Sequence, residues 1–109
     1  MDTTTITVRH NADRHRFELV DDGKVIGKAH YLPDDGTGER VFFHTVVDEA
    51  YEGHGLGSKL AAFALDETVA AGLKIVPVCP YIHAFLGRHR EYAADVVQVR
   101  PEHLDALRH

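Results

Sequence analysis

The stretch His44-Thr45-Val46-Val47-Asp48-Glu49-Ala50-Tyr51-Glu52-Gly53-His54-Gly55-Leu56-Gly57-Ser58-Lys59-Leu60 decides the fold. It starts as a β-branched run, passes through alternating glycines, and continues with helical spacing. Closely spaced glycines let a chain turn sharply and bring its backbone near a ligand. The first N–H groups of the following helix have no partner within it, and the helix dipole favours negative charge there. A strand, glycine turn and helix in this order suit a phosphate or pyrophosphate. The glycines lack the second gap of the dinucleotide fingerprint Gly-x-Gly-x-x-Gly. Gly57-Ser58-Lys59 also reverses the Gly-Lys-Ser/Thr order of a P-loop. The alternative is a plain glycine turn that only lets strand and helix pack closely.

Upstream, residues 41–47 (VFFHTVV) are almost wholly apolar and predict a strand buried on both faces. Further strands are expected over 6–9, 16–20 and 25–32, the last two joined by a tight turn at Asp21-Asp22-Gly23-Lys24. Downstream, a helix is expected over 56–71, with Leu56, Leu60, Phe63, Ala64 and Ala71 on its apolar face and Gly72 as its left-handed end. A buried strand over 73–79 follows, then a helix over 81–89 opened by Pro80. The tail predicts a short strand near 96–99 and a helix over 101–107. This order describes an α+β fold of the three-layer α/β type. An antiparallel meander feeds a β-α-β crossover, giving a mixed, mostly antiparallel sheet.

The 109 residues, 44% hydrophobic and 27% charged, suit one globular domain spanning 1–109. A net charge of −5 argues against nucleic acid or an anionic membrane as the main partner. A single cysteine, Cys79, excludes an internal disulfide and fits a reducing compartment. The first ten residues hold no apolar signal region, and the longest apolar run, 60–65, is too short for a bilayer; a cytoplasmic location is expected.

The glycine segment resembles the acetyl-CoA-binding motif of the GNAT N-acetyltransferase superfamily, in which a strand precedes an Arg/Gln-x-x-Gly-x-Gly/Ala loop and a helix. Here the loop reads Glu52-Gly53-His54-Gly55-Leu56-Gly57, so Gly55 and Gly57 match and Glu52 replaces Arg or Gln. A carboxylate beside a pyrophosphate is repulsive, and Glu52 is expected to point to solvent. The His44-Thr45-x-Val47 strand, Cys79-Pro80-Tyr81 and the short chain resemble the small YjdJ-type group of that superfamily. The resemblance covers most of residues 14–92 and implies a minimal GNAT-like fold. It implies acetyl-CoA (coenzyme A) as cofactor: Val46 and Val47 offer backbone groups to the pantetheine arm. Gly53, His54, Gly55, Leu56, Gly57 and Ser58 form the pyrophosphate turn. Lys59 assists a phosphate or is a solvated helix residue.

Acetyl transfer to an amine needs a deprotonated nucleophile, a stabilised oxyanion and a protonated leaving thiolate. The carboxylate base of many superfamily members would fall near Val41, and their tyrosine acid near Arg88 or His89, so neither standard group is present. Cys79 is the first replacement, at the start of a helix whose dipole favours a thiolate. The resemblance implies that it contacts the thioester, and it could take up the acetyl group. A small buried core residue is the other possibility. His44 is the second, as a general base or as a histidine hydrogen-bonded in the core. Tyr81 donates a proton, packs on the pantetheine, or is an ordinary aromatic at a helix start.

Nine histidines raise a metal site, but His83 and His89 face different sides of their helix and no His-Glu-x-x-His occurs, so none is expected. The function expected is acetyl-CoA-dependent N-acetyl transfer to an amine of a protein lysine, polyamine or small molecule. The alternatives are a non-catalytic acyl-CoA-binding or sensory module and a nucleotide-binding structural domain. Residues 11–15 are too few for the helices that wall the acceptor site of larger GNAT enzymes. The acceptor side is expected to be open, or completed by a second subunit as in a homodimer.

Overall fold

The computed structural model describes residues 3–34 and 36–108. Strands β1 (Ile6–Asn11), β2 (Arg16–Asp21), β3 (Lys24–Leu32) and β4 (Glu39–Val47) form an antiparallel meander. Helix α1 (Leu56–Ala70) then crosses over to β5 (Lys74–Pro77), which pairs parallel to β4. Helices α2 (Pro80–Arg88) and α3 (Pro101–Ala106) follow. The sheet order is β1-β2-β3-β4-β5, the mixed α+β arrangement expected from the sequence.

Local chemistry sets the turns. Asp22 and Gly23 both take positive φ (49° and 83°), the geometry whose twist suits a two-residue hairpin between β2 and β3. Between β1 and β2 the Asn11 side chain accepts the Arg14 N–H, and His15 closes the turn at φ 52°. That link is one short turn and holds no full helix. Gly72, at φ 77°, follows the last turn of α1 as its left-handed end.

Helices α1 and α2 cover one face. Leu56, Leu60, Ala61, Ala64 and Leu65 of α1 join Ile82 and Phe85 of α2 and Phe17, Leu19, Ala29 and Phe42 of the sheet in one core cluster. Arg40 crosses from β4 to α1: its guanidinium stands 4.5 Å over the Tyr31 ring and donates to Thr68 Oγ1 at 3.2 Å. Glu39, its neighbour in β4, points to the opposite face, where α3 docks through His103 (Nε2 to Glu39 Oε1, 2.9 Å). On that same opposite face the fully buried Glu18 accepts from Arg9 (2.6 Å), Arg16 (2.6 Å) and Asn11 (3.1 Å). Burial by itself would raise this carboxyl, but the three donors outweigh it and hold it below the ordinary glutamate range.

Several expectations are corrected. Strand β4 is buried on both faces only at Val41 and Phe42; His44 and Val46 are exposed. Two features explain this. The register runs from His30↔His44 to Tyr31↔Phe42, so Phe43 is an extra residue, a β-bulge. The β4–β5 ladder also ends at Phe42↔Pro77, so β4 continues without β5 beside it. The run 96–99 makes a single parallel bridge, Val96 to Ile75, instead of a strand. Ala71 falls just past the end of α1 and is exposed, and Phe63 is half-buried, while Ala61, Leu65 and Thr68 are buried, so the covered face is rotated from the expected one.

Candidate functional site

The parting of β4 and β5 leaves a wedge, closed at its apex by the Cys79 N–H donating to the Phe42 carbonyl at 2.8 Å. Beside the freed half of β4 lies a cavity of about 410 Å³, lined by Thr45, Val46 and Val47 of that strand, by Tyr51, Glu52, Gly53, Gly55, Leu56, Gly57 and Ser58, and by Tyr81. The segment that the sequence singles out thus forms most of one cavity wall.

Each glycine has a distinct role. Gly53 and Gly55 take φ +83° and +72°, conformations that side-chain-bearing residues rarely adopt, and a Cβ at either would point into open space. Gly55 is the N-cap of α1, and no side chain caps that end, so the first-turn N–H groups lack a protein side-chain partner. Gly57 has ordinary helical φ but no room: a Cβ there would stand 2.5 Å from the Tyr81 hydroxyl oxygen and 3.0 Å from Tyr81 Cζ. Tyr81, in the first turn of α2, therefore lies directly against the glycine turn.

The candidate side chains separate into groups. Tyr81 is 37% exposed, lines the cavity, and no described residue engages its hydroxyl. Cys79 is the N-cap of α2 and only 3% exposed; its Sγ donates to Thr45 Oγ1 at 3.4 Å. Thr45 lines the cavity, so the thiol sits behind that wall residue. His44 is exposed on the other face of β4, its ring stacked at 5.8 Å on His30. Strand alternation thus keeps His44 apart from Thr45 and Cys79. The His30 imidazole is pushed down by burial first, then by Arg16, His44 and Lys28. His54 is exposed on the loop and lies outside the cavity lining. Lys59 turns toward β1, where its ammonium donates to the Ile6 carbonyl at 2.8 Å. Glu52 is exposed as expected, yet it belongs to the cavity wall.

Two wall residues lie outside the candidate set that the sequence suggests. Thr45 belongs to a strand motif, and its two-residue spacing from Val47 places both on one face. Tyr51 lies in a 3-10 turn (Glu49–Tyr51), and its hydroxyl donates to Asp21 Oδ2 at 2.6 Å. That acceptor, with burial second, raises its phenol above the ordinary tyrosine value. Neither the turn nor the contact with the β2–β3 corner has a local sequence signal. Among the described residues no cluster of His, Cys, Asp or Glu could hold a metal. Nor is any described helix long and apolar enough to cross a membrane.

The geometry has counterparts among known proteins. The chain resembles a GCN5-like protein from Staphylococcus aureus solved by NMR, at 19% identity and TM-score 0.66, over 92% of this chain and 96% of that one. It also resembles the ribosomal-protein-S18-alanine N-acetyltransferase from Escherichia coli, at 23% identity and TM-score 0.50, over 68% of this chain and 42% of that one. N-acetylglutamate synthase from Neisseria gonorrhoeae, solved with coenzyme A and N-acetyl-glutamate, matches at 17% identity and TM-score 0.50, over 64% of this chain and 18% of that one. The chain thus spans less than half the length of these last two enzymes. At such identities the likeness establishes the fold alone. No curated protein matches. The family assignment comes from the sequence itself, whose residues 16–96, from the start of β2 through the glycine turn and α2 to the Val96 bridge on β5, match the family model: the chain belongs to the GCN5-related N-acetyltransferases.

Proposed function

We propose that this chain, acting as one domain, transfers an acetyl group from acetyl-CoA to an amine. The observation that carries it is the wedge cavity, walled by a strand edge free of its neighbour, an uncapped helix N-terminus and Tyr81. The residues present fit the cofactor. Open space beside Gly53 and Gly55 and the N–H groups of residues 56–58 suit a pyrophosphate, while the free edge at Val46 and Val47 suits an amide-bearing arm. Acetyl-CoA would supply an activated thioester.

The protein's own residues bind, orient and move protons. The backbone of residues 53–58 positions the phosphates, and Val46 and Val47 hold the arm in register with β4. Tyr81 is the proton donor to the leaving thiolate, since its hydroxyl faces the cavity without a described partner. Burial behind Thr45 gives Cys79 a supporting place in that wall and favours direct transfer over a covalent relay through its thiol. His44, on the far face, is not used. Among the described residues the short β1–β2 link adds no helix over the acceptor side of the wedge, which suits an extended or macromolecular amine. An acidic chain favours cationic acceptors such as lysines or polyamines.

The test has two stages. Acetyl-CoA should raise the Tm; no shift at millimolar ligand removes the proposal. Release of free thiol on adding a polyamine or lysine peptide should then follow. Binding without release would leave an acyl-CoA-binding module instead.

A further inference from the structure

Among the described residues that line the cavity, Glu52 is the one acidic or basic residue. Lys59, the cation nearest in sequence, is committed to the Ile6 carbonyl at 2.8 Å. Acidic residues adjoin Glu52: Asp48 and Glu49 open the preceding 3-10 turn, and Asp21 is tied to the wall by the Tyr51 hydroxyl at 2.6 Å. Lys28, across the strand pair from Val46, and Lys24, across from Asp21, lie outside the lining. A phosphate in this turn would meet backbone N–H groups and no described cationic side chain of the lining.

Coenzyme A has two chemically distinct parts. Its nucleotide bears a pyrophosphate and a phosphate monoester, and its pantetheine arm is neutral. Backbone dipoles can hold the pyrophosphate, but an outlying phosphate monoester gains nothing from them, because the attraction falls off within the first turn. A carboxylate belonging to the same wall opposes both groups.

We propose that Glu52 determines donor specificity: it weakens the hold on the nucleotide, so the site selects its thioester by the pantetheine arm and does not require the 3′-phosphate. This rests on the cavity taking a coenzyme A thioester, as proposed above. Loss of the 3′-phosphate then costs no affinity. Removing the Glu52 charge tightens the phosphorylated ligands and leaves the neutral arm unaffected.

Titration calorimetry with coenzyme A, dephospho-coenzyme A and pantetheine, on wild type and Glu52→Gln, tests this. In wild type, dephospho-coenzyme A should bind within about threefold of coenzyme A or more tightly. Glu52→Gln should tighten coenzyme A by about threefold to tenfold and change pantetheine by less than about twofold. A clear wild-type preference for coenzyme A over its dephospho form overturns the proposal, as does an unchanged or weakened coenzyme A affinity in Glu52→Gln. In both cases coenzyme A still binds, and the function proposed above survives. If none of the ligands binds either protein, both proposals fall.

Discussion

The hydroxyl oxygen of Tyr81 lies 2.5 Å from the point a Cβ on Gly57 would occupy, so the start of α2 fills the space that a side chain at the glycine turn would need. Gly57→Ala therefore sets two effects against each other. Alanine favours the helix by up to about 1 kcal/mol, while overpacking against a ring costs about 1–3 kcal/mol. Because Cζ is also close, at 3.0 Å, rotating the hydroxyl gives no relief. Gly57→Ala is expected to destabilise by about 1–2 kcal/mol net and to weaken acetyl-CoA binding. Adding Tyr81→Ala should remove the clash. Denaturant melts of the double-mutant cycle should then show coupling of about 1 kcal/mol or more; simple additivity would mean the contact carries no energy.

Tyr81→Phe keeps the ring against Gly57 and removes only the hydroxyl. Acetyl-CoA affinity should stay within about twofold, since the cavity wall is unchanged, while turnover falls by about a hundredfold, the low end for losing a general acid. A parallel loss of affinity would show that the hydroxyl binds the donor and does not protonate the leaving group.

Cys79→Ala removes a thiol that is 3% exposed and bonded to Thr45 Oγ1 at 3.4 Å. It should lower stability by about 1 kcal/mol and reduce turnover only a fewfold, because Thr45 keeps its place in the wall. Intact mass after exposure to acetyl-CoA alone is the direct check. An acetyl adduct on wild type that is missing from Cys79→Ala would reinstate the covalent route.

These positions also show what the sequence reveals and what it hides. The glycine turn was legible because strand spacing gives way to helical spacing around residues 53–57, and the turn does line the cavity. The pairing Asp22-Gly23 likewise announces its hairpin. The environment of His44 was not legible. It depends on the bulge at Phe43 and on where β5 leaves β4, and both are set by neighbouring strands. Lys59 was ambiguous for a related reason: a lysine at a helix start can reach a ligand or another strand, and only the tertiary position of β1 decides. The same applies to Gly57, whose lack of space comes from a helix more than twenty residues later in the chain.

Acid should loosen the sheet face opposite α1. Glu18 is held below the ordinary range by Arg9, Arg16 and Asn11 against the opposing effect of burial; Glu39 is lowered first by His103 and then by Arg100. A carboxyl lowered in the folded state binds its proton more readily when unfolded. Its stabilisation is thus fully present above the unfolded value of about 4.3 and is lost as pH falls through the lower folded value. Stability from urea melts should decline gently from pH 7 to about 5 and fall steeply below about 4. The gentle decline arises because His30 and His10 are lowered in the folded state and take up protons first in the unfolded chain. Glu18→Gln should cost about 1–3 kcal/mol at neutral pH and flatten the acid limb; an unchanged acid limb would remove Glu18 from this account.

Lys59 distinguishes a structural tie from a phosphate contact. Its ammonium joins the first turn of α1 to the first residue of β1, and a charged donor on a carbonyl is worth about 1–2 kcal/mol. Lys59→Ala should therefore lower stability by about that amount while acetyl-CoA affinity stays within about twofold. Lys59→Met, which keeps much of the apolar stem, should recover part of any packing loss and none of the hydrogen bond. A large drop in acetyl-CoA affinity with unchanged stability would mean that Lys59 leaves Ile6 for a phosphate when the donor binds. It would then counter the Glu52 carboxylate and favour the nucleotide.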